Sequence, residues 1–416
     1  EAFRDVFGQA VARATRGTGT CALMLSGGID SGAILAAARG FRSRPDAPGL
    51  LCVSAVSAED VEDPGTRAEN ANILSLTRGN PAALTFTVPV MAGTGEVIEA
   101  ADAAAVAWSS RHPVDASLYI PSLACVAARR HGARVIMSGA CGDLVTVSPN
   151  HYAGTWLWRG HWLRALREAS AASRVHTYLR GQPPWRILAR GAAASLQPSF
   201  VRRLRARLGL EGNLRRIAAS GLSAEFLQRA DLRTPARAEL EERLARLRLP
   251  GAQRRCATLA SHLEEACTSF NPVPARHGVE ARDPWVDVEV VRFFLSLPLQ
   301  WQVRQGWTKY LARRACEEAL GPEVVWHSGK RHHGPLVTRQ LIVDAAGWLR
   351  DDLARLRPLL ARYLDAEVLA EADRLLADPA AIDFRGADQL NALAAFAGAV
   401  ARYAADADEG GIGRRI

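Results

Sequence analysis

The sequence contains no apolar run approaching the roughly 20 residues that a membrane-spanning helix needs, so we expect no membrane partner. Its seven cysteines include no Cys-x-x-Cys pair and no His/Cys spacing typical of a metal site, and their number is odd. These features favour reduced, mostly buried thiols and a cytoplasmic protein. Neither a signal peptide at the start nor an internal repeat is evident.

Two common phosphate-binding motifs are also missing. The sequence has neither a Walker loop, which ends in Gly-Lys-Ser/Thr, nor the Gly-x-Gly-x-x-Gly fingerprint of dinucleotide-binding proteins. Instead, residues 21–40 read CALMLSGGIDSGAILAAARG, an apolar stretch followed by two glycines and an alanine-rich segment. This order predicts a buried strand at 23–25, a turn at 26–31 and a helix at 32–39.

The predicted turn is suited to a phosphate-like anion. Gly27 and Gly28 let the backbone turn sharply, and the following helix adds its free N–H groups and the positive end of its dipole. Ser26 and Ser31 supply hydroxyl groups. Asp30 would repel such an anion unless a divalent cation lay between them, so the motif predicts bound magnesium pyrophosphate with Asp30 on the metal.

Further strand-like segments at 50–57, 83–90 and 133–140 alternate with helix-like ones. This alternation predicts an α/β fold with a doubly wound parallel sheet, whose ligands bind beyond the carboxyl ends of the strands. The last of these segments continues as MSGACGD, a glycine-containing turn that ends on Asp143. We expect Asp143 to face Asp30 across the bound polyphosphate, although strand–Gly–Asp turns also occur without a function.

Composition divides the chain into three predicted regions. Residues 1–150 form a nucleotide-binding α/β core, 151–255 an Arg-rich helical segment, and 256–416 a mainly helical portion that completes the active site. The middle region has 21 Arg against 7 Asp and Glu, a net charge of +14 in a chain of net +9. Such helices are typical of a solvated face, and the alternative is a docking surface for an acidic partner or nucleic acid. Nucleic acid is disfavoured because the sequence shows no aromatic ladder of the kind that single-strand binders interleave with basic residues.

Two lysines stand in compact polar and aromatic clusters. The segment GWTKYLARRA predicts a helix with Lys309 in its first turn, where the helix dipole disfavours a cation unless an anion lies nearby. The alternative is a surface lysine with a buried stem. Lys330 lies in HSGKRHHG, whose histidine spacing is poor for zinc, so we expect a loop that faces phosphate or substrate.

The order of LSGGIDS, MSGACGD, VEARDPWVD, GWTKYLARRA and VVWHSGK resembles the synthetase domain of the asparagine synthetase family, from the first helix to about residue 340. The resemblance implies a sheet of the ATP pyrophosphatase (adenine nucleotide alpha hydrolase-like) type, with ATP and Mg²⁺ as cofactors. It implies metal binding by Asp30 and Asp143, and catalytic roles for Lys309, Asp143 and Lys330, with Lys309 on the α-phosphate. The implied ATP or pyrophosphate contacts are Leu25, Ser26, Gly27, Gly28, Asp30, Ser31, Ser54 and Gly139.

The departures from that family concern the nucleophile. Ala140 replaces a glutamate associated with handling ammonia, and Leu144 replaces a second acid. The tyrosine that β-lactam synthetases carry at the Ala140 position is missing too, as is the glutaminase domain with its cysteine nucleophile. We therefore do not expect ammonia from glutamine to be the nucleophile.

The segments RHGVEARDPWVD, QGWTKYLARRA and VVWHSGKRHHG are most similar to lasso peptide cyclases of the bacterial cytoplasm. This resemblance implies adenylation of an Asp or Glu side chain in a precursor peptide and macrolactam closure by its N-terminal amine. A leader-peptide-binding protein and a leader peptidase are the implied partners. The alternatives are a β-lactam-type or intermolecular amide synthetase, a tRNA-modifying enzyme and a non-catalytic interaction protein. The general base stays open among Glu280, Tyr152, His151, His327, His332 and His333.

Overall fold

The computed structural model shows a parallel β-sheet with helices packed on both faces. The residues it describes are 1–17, 19–40, 49–57, 64–78, 83–88, 119–146, 152–176, 179–196, 199–218, 221–246, 251–328 and 334–410. The predicted doubly wound α/β fold is confirmed.

Five strands form the sheet in the order β3-β2-β1-β4-β5, and every neighbouring pair is parallel. The strands are β1 Thr20–Met24, β2 Gly49–Ser57, β3 Ala83–Val88, β4 Val135–Met137 and β5 Glu280–Arg282. From β1 the chain adds β2 and β3 on one side and then β4 and β5 on the other. Such a reversal opens a crevice at the carboxyl ends of β1 and β4, where ligands of doubly wound sheets bind.

The central strand β1 is apolar from Cys21 to Met24 because both of its faces are covered. Cys21 and Leu23 point into one apolar cluster and Ala22 into the other, as the alternation of side chains along a strand requires. The strands predicted at 50–57, 83–90 and 133–140 are present: β2 begins one residue earlier than predicted, and β3 and β4 are shorter. Strand β5 was not predicted, because three residues with two charged side chains carry no strand pattern.

Helices make up most of the remaining described chain. In chain order they are α1 Ala2–Ala14, α2 Ile29–Arg39, α3 Pro64–Thr77, α4 Tyr119–Arg130, α5 Gly142–Val145, α6 Tyr152–Trp158, α7 Trp162–Val175, α8 Pro184–Leu196, α9 Ser199–Ala218, α10 Ala224–Arg229, α11 Arg233–Arg246, α12 Gly251–Phe270, α13 Pro272–Arg276, α14 Val288–Ser296, α15 Leu299–Gln302, α16 Tyr310–Leu320, α17 Pro322–Val325, α18 Gly334–Asp344, α19 Ala346–Leu360, α20 Ala366–Ala377 and α21 Phe384–Gly410. The helical character predicted after residue 150 is confirmed, and the boundaries of the three regions stay a prediction.

The helices cover the sheet in two layers. One apolar cluster packs α4 and the C-terminal helices α18 to α21 against the sheet, and the other packs α1, α2, α14 and α16 against its opposite face. A third, smaller cluster lies among α6, α7 and α8. None of the described helices is both long and apolar enough to cross a bilayer.

None of the seven cysteines, all of which lie in the described residues, forms a disulfide, as the prediction of reduced thiols requires, and five of them are buried. Burial raises the pKa of the Cys21, Cys125 and Cys316 thiols to about 12, so they stay protonated at neutral pH. These three thiols therefore act as small apolar side chains of the core.

Candidate active site

Helix α2 begins at Ile29, so Asp30 and Ser31 lie in its first turn rather than in the predicted loop. The predicted start was three residues late, because a polar first turn carries no apolar periodicity. Gly28 takes the N-cap position with an extended backbone. The free N–H groups at the start of α2 and the Asp30 carboxylate consequently share one end of the helix.

The loop before α2 has the sharp turn that its two glycines predict. Gly27 has a φ of 73°, a left-handed conformation that glycine adopts without strain. The backbone N–H of Ser26 donates a hydrogen bond to Ser31 Oγ at 3.1 Å, and the Oγ atoms of the two serines are 3.1 Å apart. These contacts fix the loop against the first turn of α2.

Ser54, a predicted ATP contact, lies on β2 beside this loop. The N–H of Leu25 donates to the Val53 carbonyl at 2.9 Å, which continues the β1–β2 pairing by one residue. The Ser54 side chain is buried, and its Oγ has no hydrogen-bond partner among the described residues. Because buried hydroxyls are nearly always hydrogen-bonded, this one is suited to a polar group of a ligand.

Asp30, Asp143 and Lys309 converge at the carboxyl ends of β1 and β4. The Lys309 ammonium donates to Asp30 Oδ2, and Lys309 Nζ lies 2.5 Å from Asp143 Oδ1. The side chains of Lys309 and Asp30 are 9% and 11% exposed, whereas that of Asp143 is 62% exposed. The site is therefore a buried ion pair with a second carboxylate at its solvent-facing side.

Two glycines in the turn after β4 allow Asp143 and the first turn of α2 to lie this close together. A Cβ atom on Gly139 would lie 2.6 Å from Ser31 N, and one on Gly142 would lie 2.6 Å from Asp30 Cγ. Both distances are too short for non-bonded atoms, so any side chain at either position would displace α2. Gly139, another predicted ATP contact, thus lies against the first turn of α2.

Lys309 precedes α16 as its N-cap residue, whereas the sequence predicted a place within the first turn. Its φ of 57° is left-handed, which costs a residue with a side chain about 1–2 kcal/mol. Such strain persists only where the surroundings fix the backbone, and it is concentrated at functional sites. The interpretation of Lys309 as a surface lysine is wrong, because its ammonium is buried.

The electrostatics of the site keep Lys309 charged. Burial by itself would lower the pKa of Lys309, but the negative charges of Asp30 and Asp143 outweigh it, and the pKa is raised. The anions that the sequence required near this lysine are thus two carboxylates of the chain itself. Lys309 is a permanent cation at neutral pH.

Sequence reasoning did not single out Arg313, although it belongs to the GWTKYLARRA segment. Its guanidinium donates to the Thr308 carbonyl at 2.9 Å and to the Val325 carbonyl, and it lies over the Trp307 ring. Burial lowers the pKa of Arg313 to about 10, while Asp30 and Asp143 act in the opposite direction. Arg313 is therefore a second cation near the carboxylates. Its signal in the sequence was its position one helical turn after Lys309.

Two residues of the VEARDPWVD segment hydrogen-bond to the turns that follow β1 and β4. Trp285 is fully buried, and its Nε1 donates to the Asp30 carbonyl at 3.0 Å. Asp283 accepts a 2.6 Å hydrogen bond from Ser138, whose Oγ in turn accepts from the Ala140 N–H at 3.3 Å. Burial raises the pKa of Asp283 above its ordinary value, against the effect of the Ser138 hydrogen bond. This segment therefore anchors both turns that carry Asp30 and Asp143.

The structure narrows the candidates for the general base. Glu280 opens β5 opposite Val135 and pairs with Arg282 at 2.9 Å, about 7 Å along the strand before its carboxyl end. Tyr152 is fully buried, and burial raises its pKa, so it can neither reach a substrate amine nor ionise readily. Burial therefore excludes Tyr152 from the open set of candidates, and the ion pair with Arg282 disfavours Glu280. His327 is partly buried after α17 and stays a candidate. The other candidates, His151, His332 and His333, lie outside the described residues. The predicted catalytic residue Lys330 lies outside them as well.

The residues at the site fit a magnesium ion. Asp30 Oδ1 is buried without a hydrogen-bond partner among the described residues, and Asp143 supplies a second, accessible carboxylate. Carboxylate oxygens are the ligands that Mg²⁺ prefers. Within the described ranges no group of three His, Cys, Asp or Glu side chains is arranged around a metal position. Substrate phosphates and water would therefore complete the coordination, as is usual for Mg²⁺ bound with a nucleotide.

Comparison with known proteins gives a match over almost the whole chain. A family model described as asparagine synthase matches residues 2–396, from the start of α1 into α21. The matched range includes both carboxylates and the lysine of the site. A search of curated proteins finds no significant match.

Proposed function

The chain belongs to the asparagine synthase family, and from this premise we propose that it is an ATP-dependent, AMP-forming macrolactam synthetase of the lasso peptide cyclase type. The family consists of ligases that use ATP to form C–N bonds and release AMP and pyrophosphate. The observation that carries the proposal is the convergence of Asp30, Asp143 and Lys309 at the carboxyl ends of β1 and β4. That arrangement fits a polyphosphate with its metal.

The proposed chemistry activates a carboxylate that is otherwise a poor electrophile. An Asp or Glu side-chain oxygen of the precursor peptide attacks the α-phosphorus of ATP, and pyrophosphate leaves. The N-terminal amine of the same peptide then attacks the acyl carbon, AMP leaves with the former carboxylate oxygen, and the nitrogen loses a proton. Holding the amine beside the adenylate contributes part of the roughly 7–11 kcal/mol available from proximity.

The residues of the site have distinct roles in this proposal. The loop of Ser26 to Gly28 and the N-terminus of α2 bind pyrophosphate, and Ser54 lies within reach of the nucleotide. Lys309 and Arg313 stabilise negative charge that develops around the α-phosphate. A magnesium ion held by Asp30 and Asp143 would neutralise charge on the phosphate oxygens.

The nucleophile is proposed to be a peptide amine rather than ammonia. Ala140 lies directly after Gly139 at the carboxyl edge, so the position that holds a glutamate in asparagine synthetases carries a methyl group. The residue cannot bind ammonia or ammonium through its side chain. The Ala140 N–H instead donates to Ser138 Oγ, which fixes the turn.

The proposed partners are the precursor peptide, a leader-peptide-binding protein and a leader peptidase. The Arg-rich region supports an acidic partner, because α9 exposes Leu204 and Leu208 among arginines such as Arg203 and Arg205. Apolar side chains within a positive surface suit a peptide that carries both acidic and apolar residues. Binding of such a peptide should weaken steeply between 50 and 500 mM salt, roughly as screening of exposed charges predicts.

Incubation with a candidate precursor peptide tests the proposal. A core peptide with a free N-terminal amine and an acidic side chain several residues later should lose one water, with AMP and pyrophosphate formed in equal amounts. Added glutamine or ammonium should not be needed. Acetylation of the peptide N-terminus should block ring closure and still permit adenylation. A product that gains ammonia, or a reaction that yields ADP and phosphate, would exclude the cyclase function.

The same assay separates the alternatives. An intermolecular or β-lactam-type synthetase would form its amide from other substrates while still releasing AMP and pyrophosphate. A tRNA-modifying enzyme would retain tRNA and leave the peptide unchanged. A non-catalytic protein would release no pyrophosphate with any of these substrates.

A further inference from the structure

A two-stranded hairpin immediately precedes Lys309. Strand β6, Val303–Arg304, pairs antiparallel with β7, Trp307–Thr308, and Gln305 and Gly306 form the turn. The φ angles of the turn residues are 53° and 79°, both left-handed, which is the geometry of the tight turns that suit β-hairpins. Lys309 follows β7 directly and is left-handed as well. The backbone position of Lys309 therefore depends on that of the hairpin.

The hairpin turn rests on α7, in the Arg-rich region. The N–H of Gly306 donates to Glu168 Oε2 at 3.3 Å. A Cβ atom on Gly306 would lie 2.6 Å from the backbone carbon of Ala171, so the turn contacts the helix backbone directly. The contact fixes the position of the turn by a hydrogen bond on one side and by close packing on the other.

Glu168 is an unusual residue for this place. It is 7% exposed and lies beside the apolar cluster around α6, α7 and α8, which includes Ala169, Ala172, Ile187 and Val303. A buried carboxylate is unfavourable unless hydrogen bonds compensate it. The Glu168 carboxylate accepts from the Gly306 N–H. The Tyr152 hydroxyl donates to the backbone carbonyl of Glu168 at 3.2 Å and lies 3.5 Å from its Oε2. An apolar side chain would fill the same volume, so packing does not account for the acid.

We propose that Glu168 is a positioning residue for Lys309. Its carboxylate holds the Gly306 turn, the turn fixes the two-residue strand β7, and β7 holds Lys309 in the left-handed conformation that directs its ammonium to Asp30 and Asp143. Glu168 itself does not touch these carboxylates or the expected position of the substrate. The proposal gives α7, and with it part of the Arg-rich region, a function in the active site. It rests on the proposed function only where turnover is measured.

The sequence contains two lysines, Lys309 and Lys330, which makes Lys309 directly observable. Protein labelled with ¹³C at lysine Cε gives one NMR signal from each, and Lys330→Arg assigns them. The Lys309 signal reports the surroundings of its ammonium without any substrate. Failure of the proposed function, which appears only with peptide and ATP, is thereby distinguishable from failure of this inference.

Two substitutions at Glu168 separate positioning from packing. Glu168→Met fills the cavity but accepts no hydrogen bond, and exchange of a buried charge for an apolar side chain of similar volume is often tolerated. We expect a folded protein with a displaced or broadened Lys309 signal and a kcat at least tenfold lower, with the KM for ATP within about twofold. Glu168→Gln keeps an acceptor for the Gly306 N–H and should restore most of both properties. Glu241→Gln, an exposed acid on α11, is the matched control and should change neither.

An unchanged Lys309 signal in folded Glu168→Met would overturn the inference. A merely structural role would also lower the melting temperature of that variant while leaving the signal and kcat of the folded protein as in the wild type. Should Glu168→Met not fold, Tyr152→Phe decides by the same signal. It removes only the hydroxyl next to the carboxylate, and a shift of the Lys309 signal supports the inference while an unmoved one refutes it.

Discussion

Asp30 and Lys309 are 279 residues apart in the sequence and form a buried ion pair in the structure. The pair joins the start of α2 to the start of α16, so it connects the two elements on either side of the site. Because water is largely excluded from it, each partner needs the other to compensate its charge.

This dependence should appear in the stability of single and double variants. Lys309→Met leaves the Asp30 carboxylate buried without its counterion and should lower the free energy of unfolding by about 3–5 kcal/mol, the usual effect of breaking a buried pair. Asp30→Asn in addition should restore part of that loss, because residue 30 then carries no charge that needs the lysine. Urea unfolding at neutral pH measures both. Equal stability of the two variants would mean that the pair is well hydrated in solution.

Unlike the loss of Lys309, a substitution of Asp143 should change the stability of the protein little and its catalytic activity strongly. Its side chain is 62% exposed, so Asp143→Asn should change the free energy of unfolding by less than about 1 kcal/mol. ATP–pyrophosphate exchange should nevertheless be lost, because the variant has one metal-binding carboxylate instead of two. Full exchange activity in the folded variant would refute the role of Asp143 in metal binding.

The close approach at Gly142 predicts a sharp steric effect. A Cβ atom there would lie 2.6 Å from both Asp30 Cγ and Asp30 Oδ1, so Gly142→Ala should displace the carboxylate and abolish exchange. The cost in stability should be about 1–3 kcal/mol, as for overpacking elsewhere. Gly209→Ala on α9 is the control, since a Cβ there meets no atom within 4 Å and alanine favours a helix. Similar exchange in the two variants would contradict the packing of the second turn on α2.

A pH dependence of stability follows from Arg13 and Asp287, which connect α1 to α14. Arg13 Nε and Nη2 donate to the two Asp287 oxygens at 2.8 and 2.7 Å. These hydrogen bonds lower the pKa of Asp287 below its unfolded value of about 3.9. The pair therefore stabilises the fold above that value, and the contribution is lost as the pH falls through the lower folded pKa.

Thermal unfolding of Asp287→Asn should show this directly. The substitution keeps an oxygen that can accept the Glu289 N–H at the start of α14, so it removes mainly the charge. We expect a lower melting temperature than the wild type at pH 7 and a smaller difference near pH 3. Glu318→Gln, which breaks an exposed pair with Arg4 at 3.5 Å, should show little difference at either pH. A difference for Asp287→Asn that does not narrow in acid would contradict the assignment.

The parts of the site that follow strands could be predicted from sequence. Two apolar strands, each followed by glycines and an acid, were enough to place Asp30 and Asp143 at the same edge, because parallel strands end together. The loop and its Gly27 turn were predicted by local backbone chemistry. The strand ends and the loop could be predicted because each depends on residues close together in the chain.

The supporting contacts were not predictable in the same way. The hairpin before Lys309 has strands of two residues, too short to show alternation, and β5 is a strand only because β4 pairs with it. The carboxylates beside Lys309 and the bond from Gly306 to Glu168 join residues more than one hundred positions apart. Glu168 occurs within an Arg- and Ala-rich helix, where it reads as an ordinary surface acid.

The raised pKa of Lys309 has a consequence for self-modification. An acyl-adenylate acylates any neutral amine it meets, and in the proposed reaction Lys309 would be the nearest competitor of the intended nucleophile. A protonated amine has no lone pair to attack with, so the two carboxylates that hold Lys309 as an ammonium also keep it from being acylated. The rest of the chain offers few other targets, since only two of its 52 basic side chains are lysines and guanidinium groups are poor nucleophiles. After many turnovers the intact mass of the enzyme should therefore be unchanged, and a gain of the mass of the acyl group would contradict this protection of Lys309.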